Sequence, residues 1–172
     1  MLQPPRAIIA IDGATGVGKS TIAAALAAQL RSSGLTVVIL SLDLLSYGWH
    51  DLAGGVRRGG ECAARFRADG RFDYQPYDWH LGRVSDERVS AAGQVLILDG
   101  CGAASREFAA AAADPAILDA AIIARASVAT RTRRISQRDA YDWSDMREAW
   151  ESQHEALSYG WLPNLIVIGE DD

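Results

Sequence analysis

The run Ala7-Ile8-Ile9-Ala10-Ile11-Asp12-Gly13-Ala14-Thr15-Gly16-Val17-Gly18-Lys19-Ser20-Thr21 decides the reading of this chain. Ala7 to Ile11 is a short apolar run of the kind that forms a buried strand. Gly13, Gly18, Lys19 and Ser20 then meet the Walker A pattern G-x-x-x-x-G-K-[ST], and an alanine-rich helical stretch follows. The glycines let the backbone curl so that successive N–H groups point inward and form a nest for a β-phosphate. The helix that begins near Lys19 adds its positive dipole end at the same point. Gly13 to Thr21 is therefore expected to hold a nucleoside triphosphate. Lys19 would reach the β- and γ-phosphates, and the Ser20 hydroxyl would ligate Mg2+.

The remainder of the chain bounds this reading. With 172 residues and 49% hydrophobic composition, it is expected to fold as one domain, 1–172, with a core of its own. The net charge of −5 argues against general nucleic-acid binding. Arginine is unevenly placed and lysine is absent apart from Lys19. Cys62 and Cys101 suggest neither a metal nor a disulfide framework, which fits a reducing, cytoplasmic setting. Pro4, Pro5 and Asp12 interrupt any signal-peptide pattern, and no apolar stretch approaches membrane-spanning length. The histidines, His50, His80 and His154, lack metal-ligand spacing. The oligomeric state stays open.

Further apolar runs at 35–42, 95–98, 116–124 and 165–168 read as strands. Helices are expected at about 19–31, 86–92, 106–113, 128–139 and 144–157. Buried strands alternating with helices imply a parallel sheet covered on both faces, an α/β fold. Ligands of such sheets bind beyond the carboxyl ends of the strands, where Gly13, Asp43 and Asp99 all fall. The stretch from Leu44 to Arg83 shows little hydrophobic periodicity and reads as a long, irregular acceptor-binding insert.

Asp43, after the second strand, can take the proton of an attacking hydroxyl. Asp99, after the third, is a candidate to hold Mg2+ together with Ser20. A turn or helix-capping aspartate is the simpler alternative for each. Arg131, Arg134 and Arg138 share one helix face, whereas Arg133 points elsewhere. A solvated basic face explains such runs in general; at this place a lid over about 127–142 that brings charge to a transferring phosphoryl group is favoured. Trp49, Tyr74, Tyr77 and Trp79 are candidates to stack on a substrate, and Asp78 to bind its polar groups, against the alternative of a small satellite core.

Together, Ile11-Asp12-Gly13, Gly16 to Thr21, Leu42-Asp43 with Tyr47-Gly48-Trp49, Tyr77-Asp78-Trp79, Asp99-Gly100, Arg133-Arg134 and Arg138-Asp139 resemble the uridine kinase and nucleoside/nucleotide kinase branch of the P-loop NTPases. The resemblance is to its short actinobacterial-type uridine kinase-like members. It implies a three-layer sandwich with a five-stranded parallel sheet of order 2-3-1-4-5. It also implies ATP and Mg2+ as cofactors, Asp43 as general base and phosphate-gripping arginines in the segment Arg131 to Arg138. Relatives often carry Tyr where this chain has Ser46, the tyrosine here coming one residue later. The implied activity is transfer of the γ-phosphoryl of ATP to a small hydroxyl-bearing acceptor, a nucleoside before others. A nucleoside monophosphate, held by Arg57, Arg58, Arg65, Arg67 or Arg71, or a sugar or antibiotic, are the alternatives. A GTPase-like switch has Asp99-Gly100-Cys101-Gly102 in its favour but lacks an Asn-Lys-x-Asp motif. A non-catalytic ATP-binding module is the remaining class.

Overall fold

The computed structural model describes residues 6–139, 142–160, 162 and 164–169. The segment with Pro4 and Pro5, and residues 140 and 141 of the expected lid, lie outside the described residues. Strand β1 (Ala7–Asp12) leads into helix α1 (Lys19–Ser32), strand β2 (Val37–Ser41) and a 3-10 turn (Leu42–Leu45). Helix α2 (Leu52–Asp69) precedes four short strands, β3 (Arg71–Tyr74), β4 (Tyr77–Asp78), β5 (Arg83–Val84) and β6 (Val89–Ala92). The chain continues through β7 (Val95–Asp99), α3 (Arg106–Ala111), β8 (Ala120–Arg125), α4 (Val128–Arg138), α5 (Ser144–Glu155) and β9 (Leu165–Gly169).

Five strands pair in parallel in the order β2-β7-β1-β8-β9. Numbered along the chain by themselves, these strands have the order 2-3-1-4-5. Every residue of β7, an interior strand between β2 and β1, is buried, which explains its unbroken apolar run. Alternate side chains serve opposite layers. Ile8, Ala10, Leu96 and Leu98 pack with Phe66 of α2 and Phe108 of α3. Ile11, Val37 and Ile97 pack with Ala23 and Ala27 of α1. Each fully buried aliphatic or phenyl side chain contributes roughly 1.5–3 kcal/mol relative to exposure. Serines start two of the helices, with Ser105 Oγ accepting from Phe108 N and Ser127 Oγ from Thr130 N.

Two expectations are corrected. The stretch after Asp43 is not irregular, because α2 occupies eighteen of its residues. Its buried face, Leu52, Val56, Ala63 and Phe66, has helical spacing, but glycines interrupt the apolar pattern. A Cβ at Gly60 would lie 2.5 Å from the Phe108 carbonyl oxygen, so glycine here lets α2 and α3 approach closely. The helix expected at 86–92 is instead strand β6, antiparallel to β3 with Phe72 opposite Ala91. Phe72 is buried against Phe66, and this tertiary pairing overrides the helical preference of Ala91 and Ala92. The fourth strand of the sheet starts at Ala120 rather than 116, after a turn in which Asp114 Oδ1 accepts from Ala116 N. No helix among the described residues is long and apolar enough to cross a membrane.

Candidate active site

The phosphate loop is anchored from below. Asp12, fully buried at the end of β1, accepts hydrogen bonds from Gly13 N (2.6 Å), Gly102 N (2.9 Å) and Ala104 N (2.8 Å). It thereby ties the segment after β7 to the loop after β1. Gly13 has φ 139°, and a Cβ there would sit 2.3 Å from the Ala124 carbonyl oxygen. Both its backbone conformation and its packing demand glycine. Lys19 Nζ donates to the carbonyls of Gly13 (2.9 Å) and Ala14 (3.1 Å), with Cys101 Sγ at 3.6 Å. Burial opposes the Lys19 charge, but Cys101, Asp43, Asp99 and Asp12 outweigh it and hold the ammonium pKa above its ordinary value. Burial pushes the Cys101 thiol up.

Two carboxylates face the loop from neighbouring strands. Asp99 ends β7 and is buried. Burial raises its pKa against the pull of the nearby Ser20 side chain and of Lys19. Asp43 stands in the 3-10 turn directly after β2. Its side chain is exposed and lines the cleft described next. Desolvation raises its pKa, opposed by Lys19 and Arg138 and assisted by Asp99.

Beside Asp43 opens a cleft of about 180 Å³ lined by Thr15, Asp43, Trp49, Trp79, Arg138, Asp139, Trp143 and Trp150. Trp49 is its hub. Its ring centroid lies 4.8 Å from that of Trp79, 5.0 Å from the stacked Trp143 and 6.0 Å from Trp150. Trp79 Nε1 donates to the Asp43 carbonyl oxygen (3.0 Å) and Trp143 Nε1 to Asp139 Oδ2 (2.5 Å). Asp139 also receives Arg138 Nε (2.6 Å) and its second nitrogen (3.0 Å), and these bonds draw its pKa below the carboxylate range.

The expected residues do not all converge on the site. Lys19, Ser20, Asp43 and Asp99 converge with Trp49, Trp79 and Arg138. Arg131 and Arg134 reach the phosphate loop through its carbonyls, at Thr15 (3.5 Å) and Val17 (2.9 Å), and Arg131 also pairs with Glu151 at 3.0 Å. Tyr77 supports the cleft wall from behind, edge-on to Trp79 at 5.1 Å and stacked on Tyr47 at 6.0 Å. Tyr74 packs on the main core beside Phe72, and Asp78 Oδ1 holds a turn by accepting from His80 N and Leu81 N. Several arginines of the insert serve structural ties: Arg57 with Glu61, Arg58 with Asp51, and Arg67 with Asp119. Sequence reading assigned no role to Asp12, Cys101, Trp143 or Trp150. The two tryptophans carried a signal, since a spacing of seven puts them on one side of α5.

No family model matches the chain, and no curated protein matches it by sequence. Solved structures do match. A protein named as a fructose transport system kinase from Silicibacter sp. TM1040 has a TM-score of 0.67 at 19% identity, covering 95% of this chain and 90% of its own. One named as a uridine kinase from Bacillus stearothermophilus has a TM-score of 0.58 at 14% identity, covering 93% and 91%. A sugar kinase from Janibacter sp. HTCC2649 has a TM-score of 0.56 at 15% identity, covering 96% and 86%. The chain has the fold of the P-loop kinases.

Proposed function

We propose that this protein transfers the γ-phosphoryl group of ATP to a hydroxyl of a small molecule. The observation that carries the reading is the meeting of Lys19, Asp43 and Asp99 at the carboxyl ends of three adjacent strands, with an open cleft on the Asp43 side. The loop amides from Gly13 to Thr21 cradle the phosphates, and Lys19 exchanges the Gly13 and Ala14 carbonyls for phosphate oxygens. Arg131, Arg134 and Arg138, carried on α4, supply positive charge from the lid side. The acceptor hydroxyl sits against Asp43. Its oxygen attacks the γ-phosphorus, the bond to the β,γ-bridging oxygen breaks with its electron pair on ADP, and Asp43 takes the hydroxyl proton.

The Ser20 hydroxyl and the Asp99 carboxylate, neighbours at the end of β7, are hard oxygen donors that suit Mg2+, which takes few protein ligands and fills the rest with phosphate and water. When bound, the ion neutralises charge on the β- and γ-phosphates.

A nucleoside is the acceptor implied by the uridine kinase-like resemblance. The cleft of about 180 Å³ is smaller than the ~300–1,000 Å³ usual for small-molecule sites, which supports a more compact acceptor. The test is ADP release from Mg-ATP with a pooled set of hydroxyl compounds. Asp43→Asn should lower acceptor-dependent turnover by about a hundredfold or more while ATP still binds. Unchanged turnover would remove Asp43 from the chemistry, and ATP binding with no acceptor-dependent ADP would favour a non-catalytic nucleotide-binding role.

A further inference from the structure

We infer that the acceptor is a small hydroxyl-bearing cation, its positive group held against the indoles of the cleft and its hydroxyl at Asp43. This rests on the phosphotransfer reading of the same site. Four of the eight residues lining the cleft are tryptophans, brought together from the segment before α2, the β4–β5 turn and helix α5 with its preceding residue. Indole faces carry the negative lobe of a strong quadrupole and attract cations most when water is excluded.

The polar groups of the lining point the same way. Trp79 and Trp143 spend their N–H donors on the Asp43 carbonyl and on Asp139. Asp139 is engaged by Arg138 and Trp143 together. Of the two lining carboxylates Asp139 is in an ion pair, which leaves Asp43 to accept from an incoming hydroxyl; the Thr15 hydroxyl lies 3.8 Å from Cys101 Sγ, and the Trp49 and Trp150 N–H groups can only donate. A polyol would find few side-chain acceptors there for its hydroxyl protons. A compact ammonium alcohol needs one acceptor for its hydroxyl and apolar, electron-rich walls for its head.

The deciding experiment titrates the full chain, loaded with Mg2+ and a non-hydrolysable ATP analogue, and follows tryptophan fluorescence. The probes are choline, its uncharged carbon isostere 3,3-dimethyl-1-butanol, D-fructose and uridine, with ADP release measured in parallel using Mg-ATP. Choline should bind about tenfold or more tightly than the isostere and drive ADP release. Trp49→Leu and, independently, Trp79→Leu should erase that preference while leaving ATP binding in place. Equal binding of choline and the isostere, no choline binding, or tighter binding of fructose or uridine would overturn the inference. ADP release with fructose or uridine alone would do so while upholding phosphotransfer. Preferential choline binding without ADP release from any probe would keep the cation site and overturn the phosphotransfer reading.

Discussion

Around Lys19 the polar groups are main-chain amides and short side chains fixed by one strand–loop–helix unit, whereas around Trp49 the cleft wall consists of large rings drawn from three separate parts of the chain. The first region leaves little room for change. Gly13 is locked by its φ of 139° and by the Ala124 carbonyl, and Asp12 holds the loop through three backbone N–H groups. In the second, no backbone conformation dictates Trp49, Trp79, Trp143 or Trp150; they hold one another. Under the proposed function, the contrast separates two tasks. A triphosphate is the same in every member of a fold, so backbone geometry can serve it. An acceptor differs from one protein to the next and is met by side chains that can be exchanged without rebuilding the sheet.

The largest effect should follow from Lys19→Ala. Lys19 is the chain's single lysine and the centre of charge for Asp12, Asp43 and Asp99. Its loss should weaken ATP binding and lower phosphoryl transfer on the order of a thousandfold, read by calorimetry and by turnover. Normal activity in this variant would break the division at its root, because the backbone-built half would then not be where the phosphates lie.

Asp43 stands where the two regions meet, and its titration sharpens the boundary. Its pKa and that of Asp99 are raised in the folded protein, mainly by desolvation. Between the ordinary carboxylate pKa of 3.8 and the raised value, the folded state binds more protons than the unfolded state. The stability contributed by these groups is therefore fully present below that ordinary value and is lost as pH rises through the folded pKa. Asp43 is exposed, so solvent screens part of this desolvation penalty, and Asp43→Asn removes a partly screened charge. It should raise Tm at pH 7, and the gain should vanish below about pH 4, where Asp43 is protonated in both states. Turnover of the unaltered protein should climb with pH to a midpoint above the ordinary carboxylate value. A Tm that falls at pH 7 in Asp43→Asn would mean that the Asp43–Lys19 attraction outweighs desolvation.

How far the sequence exposed each region follows from the range of the forces that build it. Ile8 to Ser20 carries its own instructions locally: an apolar run, glycines where the backbone must curl, and a helix start. The sheet order followed from the resemblance that these residues and Asp43 and Asp99 support. Helix α2 was hidden because Gly60 earns its place by contact with α3, a partner fifty residues away in the chain, and hydrophobic periodicity cannot register a missing side chain. Strand β6 was hidden because Ala91 pairs across to Phe72, where local preference favours a helix. Trp49 and Trp79 could be picked out as aromatics, but that α5 brings Trp143 and Trp150 to them is a property of the fold alone.

Asp78 offers the smallest effect and the finest line. It lies one residue from Trp79 and belongs by sequence to the aromatic half, where a carboxylate reading a substrate would be costly to neutralise. In the structure its Oδ1 accepts from His80 N and Leu81 N, both at 2.9 Å, and closes the β4–β5 turn that presents Trp79. An asparagine carbonyl accepts the same two bonds and favours the same kind of turn. Asp78→Asn should therefore change stability by less than about 0.5 kcal/mol and kcat/KM for the acceptor by less than about twofold. A tenfold rise in KM at unchanged Tm would place the Asp78 charge in the acceptor site after all, and would extend the side-chain-built half outward from the tryptophans to the turn that carries them.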